Sequence, residues 1–387
     1  MENENKQLKI WRAVAVIALF ALVAVSVVSV SNITKPVQTQ TASVSSQAVV
    51  SSSQASETKS APCRDALKSW TDSARSKEEF VKYMESITDP SSADFIPVED
   101  RIAVFDLDGT LCCETDPGYF DHMLYYYRVM EDPDYKDKAT EEDKKTAAKC
   151  KEYFESRNYP SGLDYEHGQG VANVFKGMSL EEFYKYVKAF RDTPANGYEG
   201  MTKGEAFYQP MVEIVNCLQA NDFQVYIVSG TDRFIVRGLL IDGGKLDIPF
   251  THIIGSDENL VASNQNGKDP FDYMFSDQDK LILGGDFIIK NLKMNKVTVI
   301  AKEIGKQPVL SFGNSSGDNS MAEYTVSNNK YKSLAFMLCC DDLVRENGKE
   351  DAAKKMEESC QKYGWIPISM KNDWTTIYGE GVKRKAS

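Results

Sequence analysis

The stretch Val104-Phe105-Asp106-Leu107-Asp108-Gly109-Thr110 constrains this chain more than any other. An apolar run, Ile102 to Phe105, leads straight into two carboxylates spaced two apart and then into a Gly-Thr pair. In an extended segment residues i and i+2 share a face, so a strand end here presents Asp106 and Asp108 to one pocket. Gly109 lets the backbone turn away sharply. A strand followed by an ordinary Asp-Gly turn explains the same seven residues, and the rest of the chain decides between the two.

Periodicity sets the surroundings. A helix-like segment, Arg64 to Ile87, precedes the opening strand, Arg101 to Phe105. From Glu114 to about Gly204 the chain is helical and heavily charged, with helices expected over Tyr119 to Met130, Glu141 to Arg157 and Leu180 to Arg191. Ser179 and Glu182 make a capping box for the last of these. No strand pattern interrupts this region, which reads as a helical lid over the end of the first strand. Helix Gln209 to Ala220 and strand Phe223 to Val228 then restore α/β layering. Ser229-Gly230-Thr231 follows that strand and opens a helix, Asp232 to Leu240, where a hydroxyl and free backbone N–H groups suit an anion. The same tripeptide also serves as an ordinary N-cap. Lys293 and Lys296 precede a helix expected over Val297 to Ile304. The strand Val309 to Phe312 then ends in Gly313-Asn314-Ser315-Ser316-Gly317-Asp318.

Four stations in this order resemble the motifs of the haloacid dehalogenase superfamily of phosphotransferases: Asp106 to Thr110 after a strand, Ser229 after a strand, Lys296 before a helix, and Gly313 to Asp318 after a strand. The long helical insertion between the first two is similar to that of its phosphoserine and phosphorylcholine phosphatase branch. The resemblance runs from about Cys63 to Lys383 and implies an α/β fold. In that fold a Rossmann-like parallel sheet carries a helical cap inserted after the first strand, with the core over 63–113 and 205–387 and the cap over about 114–204. It further implies Asp106 as the nucleophile that forms an aspartyl-phosphate, and Asp108 as the acid and base. Ser229, Gly230 and Lys296 would grip the phosphate. Mg²⁺ would be held by Asp106, the Asp108 carbonyl, Asn314 and Asp318. The fourth motif usually opens Gly-Asp, and here Asn314 stands in place of that acid, a ligand without charge. Lys290 and Lys293 lie near enough to leave the lysine open; Lys296 is preferred because it immediately precedes the expected helix and sits 22 residues before Asp318.

The resemblance also implies where the substrate is chosen. Glu114, eight positions beyond Asp106, lies close to where phosphoserine phosphatases keep a glutamate that contacts substrate. A carboxylate there, with the cap aromatics Tyr119, Phe120, Tyr125, Tyr126 and Tyr127, suits a cationic leaving group such as choline. Those aromatics equally fit the core of the cap. The expected activity is hydrolysis of a small phosphomonoester. A binding module that has kept the fold and lost turnover, or a phosphotransferase, are the alternatives.

The first 62 residues belong to a different regime. Met1 to Arg12 carries Lys6, Lys9 and Arg12, and Ala13 to Val30 is an uncharged apolar run of 18 residues. As a helix that run spans roughly 27 Å, close to the thickness of a bilayer's hydrocarbon core. Residues 13–31 read as a signal anchor or a cleaved signal peptide, and 32–62, rich in Ser, Thr and Gln, as a spacer. Either way the basic start places the domain outside the cytoplasm. The net charge is +2 through Pro62 and −14 beyond it. So acidic a domain disfavours nucleic acid and favours a small phosphorylated metabolite, with the membrane as partner through the N-terminal segment.

Eight cysteines lie beyond that segment, an even number that suits an oxidising compartment. Their pairing is not readable, and a bridge between the regions of Cys112-Cys113 and Cys339-Cys340 is left open. His122, His167 and His252 are isolated in sequence and read as structural or surface residues.

Overall fold

Four apolar residues with no polar alternation demand burial on both faces, and Ile102–Phe105 forms such a strand, β1, buried at every position. A computed structural model describes residues 63–385. The signal or anchor segment and the spacer lie outside the described residues. Among those described, no helix is long and apolar enough to cross a membrane.

The further strands are β2 Tyr198–Glu199, β3 Gln224–Asp232, β4 Ile253–Ala262, β5 Leu281–Ile289, β6 Leu310–Gly313, β7 Leu334–Cys339, β8 Ile366–Ser369 and β9 Lys383–Arg384. Seven of them form one sheet in the order β5-β4-β3-β1-β6-β7-β8, with β1 at its centre. β1 pairs in parallel with β3 and β6, in a register that sets Phe105 beside Ile227 and Phe312. Rings follow this register: Phe105 stacks on Phe312 at 4.3 Å and Phe312 on Phe336 at 5.0 Å, an aromatic row across three strands just below their C-terminal ends. The sheet is parallel except for β5, which returns antiparallel to β4. β2 and β9 form a separate two-stranded ribbon, so the insertion carries a short strand that its sequence pattern does not announce.

Four helices fill the insertion: Phe120–Met130, Glu141–Ser156, Leu163–Val174 and Leu180–Arg191. The capping box of Ser179 and Glu182 is present, and Thr140 with Asp143 makes a second. Leu163–Val174 escapes a propensity reading because it carries two glycines, each poor in a helix interior. Packing decides there instead. A Cβ on Gly170 would lie 2.7 Å from the Tyr125 hydroxyl, and one on Gly168 would lie 2.6 Å from the Phe287 ring. β5 also props this layer, since Leu283 exchanges backbone hydrogen bonds with Gly177 and Met178.

The helix expected over Arg64 to Ile87 is broken into Cys63–Ala66 and Arg75–Thr88. Between the two, Trp70 packs edge-on against Trp374 at 6.0 Å, and Ser69 donates to the buried Glu213 carboxylate from both its N–H and its hydroxyl. Long-range contacts override local helical spacing at this point. Cys63 is bonded to Cys217, whereas Cys112, Cys113, Cys339 and Cys340 are free thiols, so the bridge left open between their regions does not form.

One acid on β4 is badly served. Glu258 is 3% exposed and neither of its carboxylate oxygens has a hydrogen-bond partner among the described residues. Burial, then the Asp232 and Asp257 carboxylates, push its carboxyl up. The folded protein therefore holds this proton more tightly than the unfolded chain, and stability is lost as pH rises above the ordinary carboxylate range. Glu258→Gln is expected to gain about 1–3 kcal/mol at about pH 8 and little at about pH 5. Thermal melts at the two pH values check this, at about 2–4 °C per kcal/mol.

Candidate active site

The C-terminal ends of β1, β3 and β6 meet at the centre of the sheet, and their loops carry the residues singled out in the sequence. The Asp106 N–H donates to the Phe312 carbonyl at 2.9 Å, which extends the β1–β6 ladder by one residue and fixes where its carboxylate stands. Lys296, with no exposed surface, donates to Asp106 Oδ1 at 2.6 Å and to Asp318 Oδ1 at 2.7 Å. It sits inside the helix Met294–Val299 rather than ahead of it. The other Asp318 oxygen accepts the backbone N–H groups of Asn314 and Ser315, each at 3.1 Å, and so holds the Gly313 to Asp318 loop closed.

Asp108 accepts the Thr231 hydroxyl at 2.7 Å. β3 runs on to Asp232, with its register to β4 shifting between Val228 and Asp232, so Ser229, Gly230 and Thr231 belong to an irregular strand end rather than to a helix start. The following helix, Arg233–Leu240, is capped by the Asp232 side chain, which takes the N–H groups of Phe234 and Ile235 at 2.8 and 3.2 Å. Those amides are therefore not open to an anion, which corrects the helix-terminus reading of this tripeptide. Ser229 is fully buried, and its Oγ accepts the Thr231 N–H at 3.0 Å. Gly230 and Thr231 form the wall of the cavity instead.

Glu114 accepts from Asn314 Nδ2 at 3.0 Å, which turns the amide oxygen of Asn314 to the opposite side. The first-motif glycine makes this pairing possible. Gly109 has φ +73°, and a Cβ there would fall 2.0 Å from Asn314 Nδ2 and 2.5 Å from Glu114 Cδ. Asp106, Asp108, Glu114, Gly230, Asn314 and Asp318 all line one cavity of about 280 Å³. Lys290, only 6% exposed, lines it too, a buried cation with no carboxylate in salt-bridge range among the described residues. The sequence offers it only as an alternative to Lys296, because the strand it follows, β5, is not revealed by local pattern.

Burial raises the Asp106 carboxyl, helped by Asp318 and opposed by Lys296. Asp108 is raised by burial first, then by Asp121 and Asp106. Burial pushes Glu114 up to about 8, against the Asn314 amide. Burial alone would lower the Lys296 ammonium; Asp106 and Asp318 outweigh it and hold the group above its ordinary value. The site thus gathers more carboxylate than its lysines offset, an electrostatic setting that favours a bound cation.

Of the five cap aromatics weighed for a cation, Tyr119 alone reaches this cavity. Phe120 and Tyr125 are core residues, and Tyr126 and Tyr127 line a separate hollow with Phe154 and Phe190. Tyr159 lines the cavity unforeseen, and with Tyr119, Glu114 and Asn314 it also borders a second space of about 230 Å³ containing Tyr153, Arg157 and Lys349. His122 and His167 are not isolated. Their rings stack at 3.8 Å beside Asp121, which corrects the reading of three separate histidines.

The model of the haloacid dehalogenase-like hydrolases matches residues 103–323, more than half of the chain, and the protein belongs to that family. Solved structures that resemble the chain include a conserved protein of unknown function from Anaerococcus prevotii DSM 20548, 15% identical, covering 76% of this chain and 91% of that one with a TM-score of 0.46. Cytosolic 5'-nucleotidase IIIB bound to cytidine is 13% identical, covering 76% and 86% with a TM-score of 0.45. A phosphoserine phosphohydrolase-like protein from Francisella tularensis subsp. tularensis SCHU S4 is 10% identical, covering 66% and 92% with a TM-score of 0.35. The curated proteins offer no match to the chain.

Proposed function

We propose that this hydrolase is a Mg²⁺-dependent phosphomonoesterase working through an aspartyl-phosphate on Asp106. The observation that carries this reading is the Lys296 ammonium held between Asp106 and Asp318, with Asp108 on the same strand end and bonded to Thr231. Lys296 fixes Asp106 Oδ1, and the other oxygen attacks phosphorus as the ester P–O bond breaks. Asp108, whose carboxyl burial raises, gives its proton to the departing alkoxide. It then takes a proton from the water that cleaves the acyl-phosphate, which returns Asp106 and releases inorganic phosphate. Lys296, Lys290 and the backbone at Gly230 hold the phosphate oxygens.

The residues present suit Mg²⁺, since every donor is a hard oxygen and the carboxylates outnumber the cations. Asp106, the Asp108 carbonyl, the Asn314 amide oxygen and Asp318 would hold the ion. When bound it supplies charge neutralisation for the transferring group. Assay of the full-length protein on a panel of phosphomonoesters, with and without Mg²⁺, tests the reading. Phosphate release above an Asp106→Asn control is expected only with the metal, and a panel that yields none discards it.

The leaving group we assign is a small cation such as choline, seated against Glu114 and the Tyr119 and Tyr159 rings that border both cavities. Glu114→Gln is expected to raise KM for phosphorylcholine by about tenfold and KM for a neutral aryl phosphate by less than about threefold. Equal effects on the two substrates discard the cation. The domain acts outside the cytoplasm, tethered or released by the N-terminal segment, on a small phosphorylated metabolite and not on nucleic acid. Protease treatment of intact cells that leaves the domain whole contradicts that placement.

A further inference from the structure

Two stretches of chain join the cap to the core, residues 113–119 before its first helix and residues 192–208 after its last. They run side by side. The Cys113 N–H donates to the Ala206 carbonyl at 2.8 Å, and the Asp116 carboxylate accepts the Gly197 N–H. A group that holds both connections sets where the cap stands over the Asp106 cavity. Glu346, an acid the phosphatase chemistry does not use, lies beside them with no exposed surface.

Both Glu346 oxygens accept hydroxyl or thiol donors. Oε1 takes the Thr115 hydroxyl, and the Cys113 thiol at 3.4 Å, both from the first connection. Oε2 takes the Tyr198 hydroxyl at 3.0 Å, from β2 in the second connection, and the Tyr378 hydroxyl from the C-terminal segment. Bonds to a buried carboxylate are stronger than those between neutral groups, so each is a firm tie. The anchor itself is fixed from the core. Arg345 donates to Asp342 at 2.5 Å and to the Trp374 and Met370 carbonyls at 2.9 and 2.8 Å. The Asp342 carboxylate in turn takes the N–H groups of Val344 and Arg345 at 2.9 and 2.7 Å. Arg384 on β9, the strand paired with β2, donates to the Glu346 carbonyl at 3.0 Å.

We propose that Glu346 is a positioning residue for the reaction, an anchor that pins both cap connections to the core and so sets the cap over the Asp106 cavity. Its effect on turnover rests on the phosphomonoesterase reading; its hold on the cap does not. Thr115 follows Glu114 directly in the chain, and Glu114 meets Asn314 at 3.0 Å. Holding the Thr115 hydroxyl therefore fixes the stretch that carries Glu114 to the cavity. Asp106 and Asp108 are held by Lys296 and Thr231 instead. Loosening the anchor thus weakens substrate binding and spares the chemical step. An acid that only stabilised the fold would need its four donors alike, whereas an anchor for the cap needs Thr115 and Tyr198 more than Tyr378.

Replacing Glu346 strands four donors at once, so the test removes one donor at a time from the full-length protein. Thr115→Val and Tyr198→Phe each cut one connection loose, and Tyr378→Phe is the matched control in neither connection. Amide hydrogen exchange needs no substrate. Thr115→Val and Tyr198→Phe are expected to speed exchange over 113–119 and 194–202 by at least about tenfold, with β1 and β6 still protected. Tyr378→Phe is expected to leave those stretches within about twofold of wild type. On para-nitrophenyl phosphate the first two should raise KM by about tenfold with kcat within about threefold, and the control should shift neither. A wild type that releases no phosphate removes the phosphomonoesterase reading and leaves exchange to decide the anchor. Equal exchange in all three variants, faster exchange with KM unchanged, or a fall in kcat as large as the rise in KM overturns the proposal.

Discussion

Asp106→Asn is expected to lower kcat on any phosphomonoester the protein turns over by about 10⁴–10⁶-fold while leaving the fold intact. The amide keeps the volume of the carboxylate and cannot attack phosphorus. Its stability cost is small, because the wild-type carboxylate is buried and crowded by Asp318. A melt within a few degrees of wild type beside a lost kcat is the expected pair of results. Asp108→Asn supplies the contrast. General acid help matters most for a poor leaving group, so it should cost about 10²–10⁴-fold on an alkyl phosphate and distinctly less on an activated aryl phosphate.

The second large effect is on the lysine. Lys296→Met is expected to remove activity and to destabilise the domain by about 3–5 kcal/mol, because it leaves Asp106 and Asp318 buried without their shared cation. Thermal melts should fall by about 10 °C on that account. Made in the Asp106→Asn background, the same substitution should cost less, since one of the two stranded charges is already gone. Full additivity of the two changes in melting experiments contradicts the shared-cation description.

What could be read from the sequence followed from strand ends. Asp106, Asp108 and the Gly313 to Asp318 loop are visible because a buried strand is an uninterrupted apolar run, and each run here stops abruptly at polar residues. Lys296 stands out among three lysines by its place just before the expected helix and 22 residues before Asp318; the helix starts earlier, and the structure still puts that ammonium between Asp106 and Asp318. Ser229 shows the limit of this approach. The strand ran four residues further than its apolar core, so the hydroxyl closes a turn and the cavity wall passes to Gly230 and Thr231. The antiparallel β5 and the glycine-bearing helix Leu163–Val174 were not legible, because each is held by partners distant in sequence. The pairing of His122 with His167 depends on that helix, and Lys290, offered by the sequence only as an alternative to Lys296, reaches the cavity wall because it follows β5.

Chemical trapping of the intermediate tests the central claim most directly. Rapid quenching of the full-length protein during turnover, reduction of the acyl-phosphate with borohydride and peptide mass spectrometry locate the modified carboxyl. The account predicts homoserine at position 106 in wild type and none without substrate. Modification at another residue, or phosphate release at full rate with none trapped at Asp106, contradicts it.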